Sequence, residues 1–145
     1  MKKSVLITGA SSGIGRALAV ELVKRKWRVF ACGRNKEALD ILQSEIGCDI
    51  EVVDLFKADE VINIYKIADK KLDGVDVLIN GAGINKRKVL IEDIELSDWE
   101  EHIAINMRAP MLLCREAMRS MSKGGHILNI VSSIALTSQV NYSIY

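Results

Sequence analysis

Thr8-Gly9-Ala10-Ser11-Ser12-Gly13-Ile14-Gly15 places its glycines where a short apolar run gives way to a helical pattern. A turn in that position can do one kind of chemistry: it presents backbone N–H groups to phosphate oxygens. Gly9 would permit the tight turn. Gly13, without a Cβ, would let the backbone approach a pyrophosphate, and Gly15 would let the helix pack close to the strand. The helix N-terminus adds unpaired N–H groups and a partial positive charge. No Lys-Ser/Thr pair follows the glycines, so the pattern is not that of a mononucleotide loop. The expected ligand is a dinucleotide; the competing reading is a glycine-rich turn with no ligand.

A second position tests the identity of that dinucleotide. An acid near the end of the second strand usually grips the adenosine ribose 2′-hydroxyl. Here the stretch reads Ala31-Cys32-Gly33-Arg34-Asn35, with no acid. Arg34 offers a planar cation suited to a phosphate. The expectation is NADP(H) in preference to NAD(H), with Arg34 and Asn35 at the adenosine end. The alternative for Arg34 is an exposed loop arginine.

The elements that must hold these residues alternate along the chain. Apolar runs at Ser4–Thr8, Arg28–Cys32, Ile50–Val53, Val75–Ile79 and His126–Val131 are rich in Val, Ile and Leu. Such runs suit parallel strands covered on both faces. Between them, Gly15–Lys26, Lys36–Ile46 and Asp59–Leu72 carry apolar residues at helical spacing. A longer helical stretch, Glu92–Ser122, should break near Pro110, which lacks the N–H a mid-helix position needs. Five βα units with right-handed crossovers predict an α/β, doubly wound parallel sheet of the Rossmann type.

Composition narrows the possibilities. The chain has 145 residues, 49% apolar and 27% charged, with net charge +1. These are values of an ordinary globular domain, not of a disordered chain. No apolar run approaches the ~18 residues of a membrane span, and the first is too short for a signal peptide. A cytoplasmic protein with no membrane partner is expected. Cys32, Cys48 and Cys114 are odd in number and lack metal-ligand spacing, so reduced thiols and no metal site are expected. Residues 1–36 carry nine bases and one acid, while the remainder is net −7. Lys24–Arg28 reads as a solvated helix end, but Arg16 and Arg34 flank the glycine turn. Trp27 is the one aromatic residue within the Lys24–Arg28 run, and the net charge is near zero, so nucleic acid is not an expected partner.

Further motifs then fall in a familiar order. Asp54, with Leu55 beside it, follows the third strand. Asn80-Gly81-Ala82-Gly83 follows the fourth. Asn106 sits in IAINMRAP, and Asn129-Ile130-Val131-Ser132-Ser133 ends the fifth strand. With TGxxxGxG at Thr8–Gly15, the whole chain resembles the short-chain dehydrogenases/reductases. The match departs from the family at Gly81, where NNAG has a second Asn; losing that side chain was expected to loosen the turn.

The resemblance implies hydride transfer between a nicotinamide and a small-molecule carbonyl or alcohol, in a homo-oligomer. It gives Thr8, Gly9, Ser11, Ser12, Gly13, Ile14, Gly15, Asp54, Leu55, Asn80, Gly81, Ala82 and Gly83 to the cofactor, with Asp54 on the adenine amino group. It gives Ser133 the hydrogen bond to the substrate oxygen and Tyr145 the proton. Asn106 would hold a water of the proton relay through its carbonyl. Each has a plainer alternative: a turn-capping Asx for Asp54, a strand-end cap for Asn80, a helix-kink residue for Asn106. Tyr142 competes with Tyr145, which fits the family spacing better. Lys86-Arg87-Lys88 reads as a solvated loop, or as a lure for an acidic substrate. In the family a Lys follows the catalytic Tyr, and sixth and seventh strands complete the domain. Residues 1–145 are therefore expected to be an incomplete dinucleotide-binding domain, inactive alone. The alternatives are a dinucleotide-binding protein without turnover and an interaction module.

Overall fold

The computed structural model describes residues 3–85, 90–121 and 124–137. Strands β1 (Ser4–Thr8), β2 (Arg28–Gly33), β3 (Asp49–Val52), β4 (Val77–Asn80) and β5 (His126–Asn129) form one sheet in the order β3-β2-β1-β4-β5. Every pairing is parallel, with Leu6 opposite Phe30 on one side and Leu78 on the other. The strand order reverses between β1 and β4. In doubly wound sheets, ligands bind outside the carboxyl ends of the strands at such a point.

Helices α1 (Gly13–Lys24), α2 (Lys36–Ile46), α3 (Ala58–Leu72), α4 (Leu96–His102) and α5 (Ala109–Ser120) cover the sheet. Successive side chains of a strand point to opposite faces. Val5 and Ile7 accordingly join Val29, Ala31 and Ile79 in a core with Ala19 of α1 and Leu39 and Leu42 of α2. Leu6 joins Phe30 and Leu78 in a second core with α3 and α5. The doubly wound parallel fold is thus as the sequence predicts. Among the described residues, no helix is long and apolar enough to cross a membrane.

Some boundaries differ from the sequence reading. β4 starts at Val77 rather than Val75, because Asp76 is taken up in a side-chain lock. Its Oδ2 accepts from the Ser4 N–H at 2.7 Å, and the Ser4 hydroxyl donates to the Gly74 carbonyl at 2.7 Å. β5 ends at Asn129, before the expected Val131. The break expected at Pro110 is also displaced. Pro110 sits in the first turn of α5, directly after a π-helical segment. The irregularity precedes it, as a π-helical segment at Ile103–Arg108 joining α4 to α5 with helical backbone at both junctions.

Candidate functional site

A cleft of about 1040 Å³ lies at the switch point. Its walls come from the turn after β1 (Gly9, Ser11–Gly15) and the loop after β4 (Gly81–Ile84). Gly33–Glu37 close one end, and Val53, Leu55, Ile105 and Ile130 add apolar surface.

The turn after β1 is built around an absence of side chains. Gly9 has φ +70°, and a Cβ there would stand 2.7 Å from the Ala82 backbone. A Cβ on Gly15 would stand 2.4 Å from the Gly9 carbonyl oxygen. These contacts let the two walls meet and let α1 begin directly at the turn. Ser12 is the N-cap residue of α1 but makes no side-chain cap hydrogen bond. Its hydroxyl and that of Ser11 border the cleft beside the helix N-terminus. The Ala10 N–H donates to the Cys32 carbonyl at 3.0 Å and ties the turn to β2.

Thr8 is buried and does not itself line the cleft; it joins the walls. Its Oγ1 accepts from the Gly81 N–H at 3.1 Å and the Ala82 N–H at 3.2 Å. The turn at Gly81 is therefore pinned rather than loosened. An added Cβ there would meet the Thr8 carbonyl at 2.8 Å, so glycine suits this close approach. From the other side, the Ile84 N–H donates to Asn106 Oδ1 at 2.8 Å, and Asn106 Nδ2 donates to the Ile84 carbonyl at 2.9 Å. Asn106 lies in the π-helical segment, so the irregular turn and the cleft wall are joined directly. Asn80 is buried beneath the wall, with Nδ2 donating to Asn129 Oδ1 at 2.8 Å.

At the β2 end, Asn35 caps α2 by accepting from the Ala38 N–H at 3.0 Å. Arg34 is half-exposed on the cleft and pairs with Glu101 of α4 at 3.6 Å. Arg16 does not reach the cleft; it is held by Glu45 of α2. Asp54 forms an Asx turn, its Oδ1 accepting from the Phe56 N–H at 3.1 Å. Its own N–H donates to Glu60 at 2.9 Å. The Lys57 ammonium, then that N–H, holds the Glu60 carboxyl below its ordinary range. Asp54 stands apart from the lining, to which its neighbours Val53 and Leu55 contribute.

Ser132 caps a short 3₁₀ turn (Ser133–Leu136) by accepting from the Ile134 N–H at 3.2 Å, whereas Ser133 is exposed. Tyr142, Tyr145 and Lys86-Arg87-Lys88 lie outside the described residues. The sequence reading missed Gly33, Lys36, Glu37, Val53, Ile84, Ile105 and Ile130 as lining residues. Gly33 carries a signal in hindsight: it ends β2 opposite the glycine turn, and a Cβ there would crowd Ser11 Oγ at 3.2 Å. Cys32, next to it, is an inert thiol, pushed by burial up to about 12.

Residues 3–145 match the family model described as short chain dehydrogenase. The chain belongs to the short-chain dehydrogenase family. An uncharacterised short-chain type dehydrogenase/reductase of Sinorhizobium fredii is 40% identical over 97% of this chain and 55% of its own length. A metagenomic short-chain oxidoreductase solved with NADP superposes with a TM-score of 0.91 at 31% identity, covering 99% of this chain and 68% of that one. A blue fluorescent protein from a metagenomic library, solved with NADPH, gives a TM-score of 0.91 at 29% identity over 99% of this chain and 61% of that one. This short-chain dehydrogenase chain spans about half the length of the curated relatives it matches.

The cleft suits a nicotinamide dinucleotide by its own geometry. The glycine turn leaves open space at Gly13, where an added Cβ would meet nothing within 4 Å. The α1 N-terminus borders the same cleft, and the Arg34 cation lines it beside Gly33 and Asn35.

Proposed function

We propose that residues 1–145 form the dinucleotide-binding domain of an NADP(H)-dependent oxidoreductase acting on a small-molecule carbonyl or alcohol. The observation that carries this is the cleft at the β1–β4 switch point, with the glycine turn on one wall and Arg34 at its end. Ser11, Ser12, Gly13, Ile14 and Gly15, with the α1 N-terminus, bind the pyrophosphate. The Arg34 guanidinium pairs with the ribose 2′-phosphate. Leu55 faces the adenine, with Asp54 beside it in its Asx turn, and Gly81–Gly83 border the nicotinamide half. When bound, the cofactor gives or takes the hydride. Ser133 Oγ–H donates to the substrate oxygen, directing stabilisation to where charge develops. Tyr145 moves the proton.

The exposed apolar residues Leu96, Trp99, Met107, Met111 and Met118 recur at helical spacing along α4, the π-helical segment and α5. This face meets a second copy of the chain.

Equilibrium titration with NADPH and NADH tests the cofactor reading. NADPH should bind more tightly; no binding of either at millimolar concentration, or tighter binding of NADH, refutes it. In the catalytically competent protein, Tyr145→Phe should abolish turnover and leave cofactor affinity unchanged. Turnover that survives this change but is lost in Tyr142→Phe assigns the proton to the other tyrosine.

A further inference from the structure

The end of β2 lacks the acid that would grip a ribose 2′-hydroxyl, yet the fold brings one there. Glu101 of α4, 67 residues away in sequence, sits with Oε1 3.6 Å from Arg34 Nη1. Both side chains retain access to solvent, at 54% for Arg34 and 20% for Glu101. The separation exceeds an ordinary hydrogen-bond length, so this is a loose ion pair rather than a bidentate clamp. A guanidinium presents five donors, and this contact leaves most of them for another anion.

We propose that Glu101 sets the balance between phosphorylated and unphosphorylated dinucleotides. This rests on the reading that Arg34 takes the 2′-phosphate. With that phosphate absent, Glu101 partly neutralises Arg34. With it present, the phosphate must displace or share the same guanidinium and also sits near a like charge. Glu101 therefore weakens binding of NADPH and leaves binding of NADH largely unaffected. The arginine sets the preference; the glutamate limits it. The site differs from a simple arginine subsite in having its counter-anion built in, on a separate element from the arginine.

The test is equilibrium titration of the wild type, Glu101→Gln, Arg34→Met and the double variant with NADPH and with NADH. Glu101→Gln should tighten NADPH about three- to fivefold, the scale of an exposed ion pair, and should not tighten NADH. The gain should largely vanish in the Arg34→Met background. Raising ionic strength should shrink it too, because both groups are solvent-accessible. A thermal melt checks that each variant is folded, and Glu101→Lys, which reverses the charge, should raise the NADPH:NADH preference further. An unchanged or lowered preference in Glu101→Gln and Glu101→Lys overturns the proposal. So does a gain that persists in full without Arg34. If Arg34→Met lowers the preference while the Glu101 variants do not raise it, Glu101 alone is misassigned. If Arg34→Met leaves the preference at the wild-type value, the phosphate reading fails and this proposal falls with it.

Discussion

Replacing Thr8 by Val tests whether one hydroxyl joins the two walls of the cleft. Val matches the shape of Thr but lacks the oxygen that accepts from the Gly81 and Ala82 N–H groups. A buried donor left unsatisfied costs roughly 1–3 kcal/mol. Gly81 and Ala82 are only partly buried and border the cleft, so water partly replaces the lost acceptor. The lower end therefore applies, about 1 kcal/mol for each amide. Burying a methyl in place of a hydroxyl returns up to ~0.8 kcal/mol. The expected net loss is about 1–2 kcal/mol, or a fall in Tm of roughly 2–8 °C for a chain of this size.

Stability alone would not separate this from Thr8→Ser, which keeps the oxygen but deletes a buried methyl worth about 0.8 kcal/mol. Native-state hydrogen exchange does separate them. In Thr8→Val, protection of the Gly81 and Ala82 amides should fall about fivefold beyond the global change, the equivalent of about 1 kcal/mol each. In Thr8→Ser it should not. NADPH affinity should fall in the Val variant and hold in the Ser variant. Unchanged protection of both amides in Thr8→Val would show that Thr8 does not hold the wall, and the account of the cleft as preassembled would be wrong.

Burial of Cys32 gives a pH dependence of defined sign. Its thiol is held neutral up to about pH 12 in the folded chain, against an ordinary value of 9.0. Stability is therefore full below about pH 9 and declines between 9 and 12, because the unfolded chain has already lost that proton. This thiol should contribute a slope near −1.4 kcal/mol per pH unit, measured by urea titration at stepped pH; Cys32→Ala should remove that part and leave the contribution of Cys48, whose thiol burial pushes up to about 11, and an unchanged slope would place its origin elsewhere. The helical face at Met107 and Met111 predicts a concentration-dependent dimer: sedimentation of Met107→Glu/Met111→Glu should show monomer where the wild type associates, and equal behaviour would remove this face as the contact.

What was legible in the sequence was whatever local pattern dictates. The Val-, Ile- and Leu-rich runs mark the strands because both faces of β1, β2 and β4 are covered, although β5 has the same pattern and is exposed; the glycine turn announces itself because Gly9 and Gly15 allow contacts no side chain permits. Other features depend on distant partners. The start of β4 moved because Asp76 engages Ser4, 72 residues earlier. Pro110 signalled a break, but the π-helical segment lies just before it, where Asn106 reaches Ile84, 22 residues back. The family resemblance gives Asp54 to the adenine, with an Asx turn as the alternative; its side chain makes that turn, and Asp54 lies off the cleft lining. Arg34 stood out as a missing acid; that Glu101 faces it is a matter of tertiary structure.

The two ends of the cleft are built to different rules. Around Gly81–Ile84, the hydrogen bonds to Thr8 and Asn106 hold the wall from β1 and from the π-helical segment. The Arg108 guanidinium, over the Phe56 ring, also donates to the Phe56 carbonyl and holds the loop after β3. A wall already fixed before binding adds little ordering entropy to the cost of association. At the Arg34 end, Arg34 and Glu101 are long, solvent-accessible side chains held in a loose ion pair. Substitution there should cost under about 1 kcal/mol of stability. Changes at the buried end would disturb fold and binding together, whereas changes at the exposed end can shift cofactor preference alone. On the proposed reading of Arg34, it and Glu101 are positions at which cofactor preference can change without rebuilding the core.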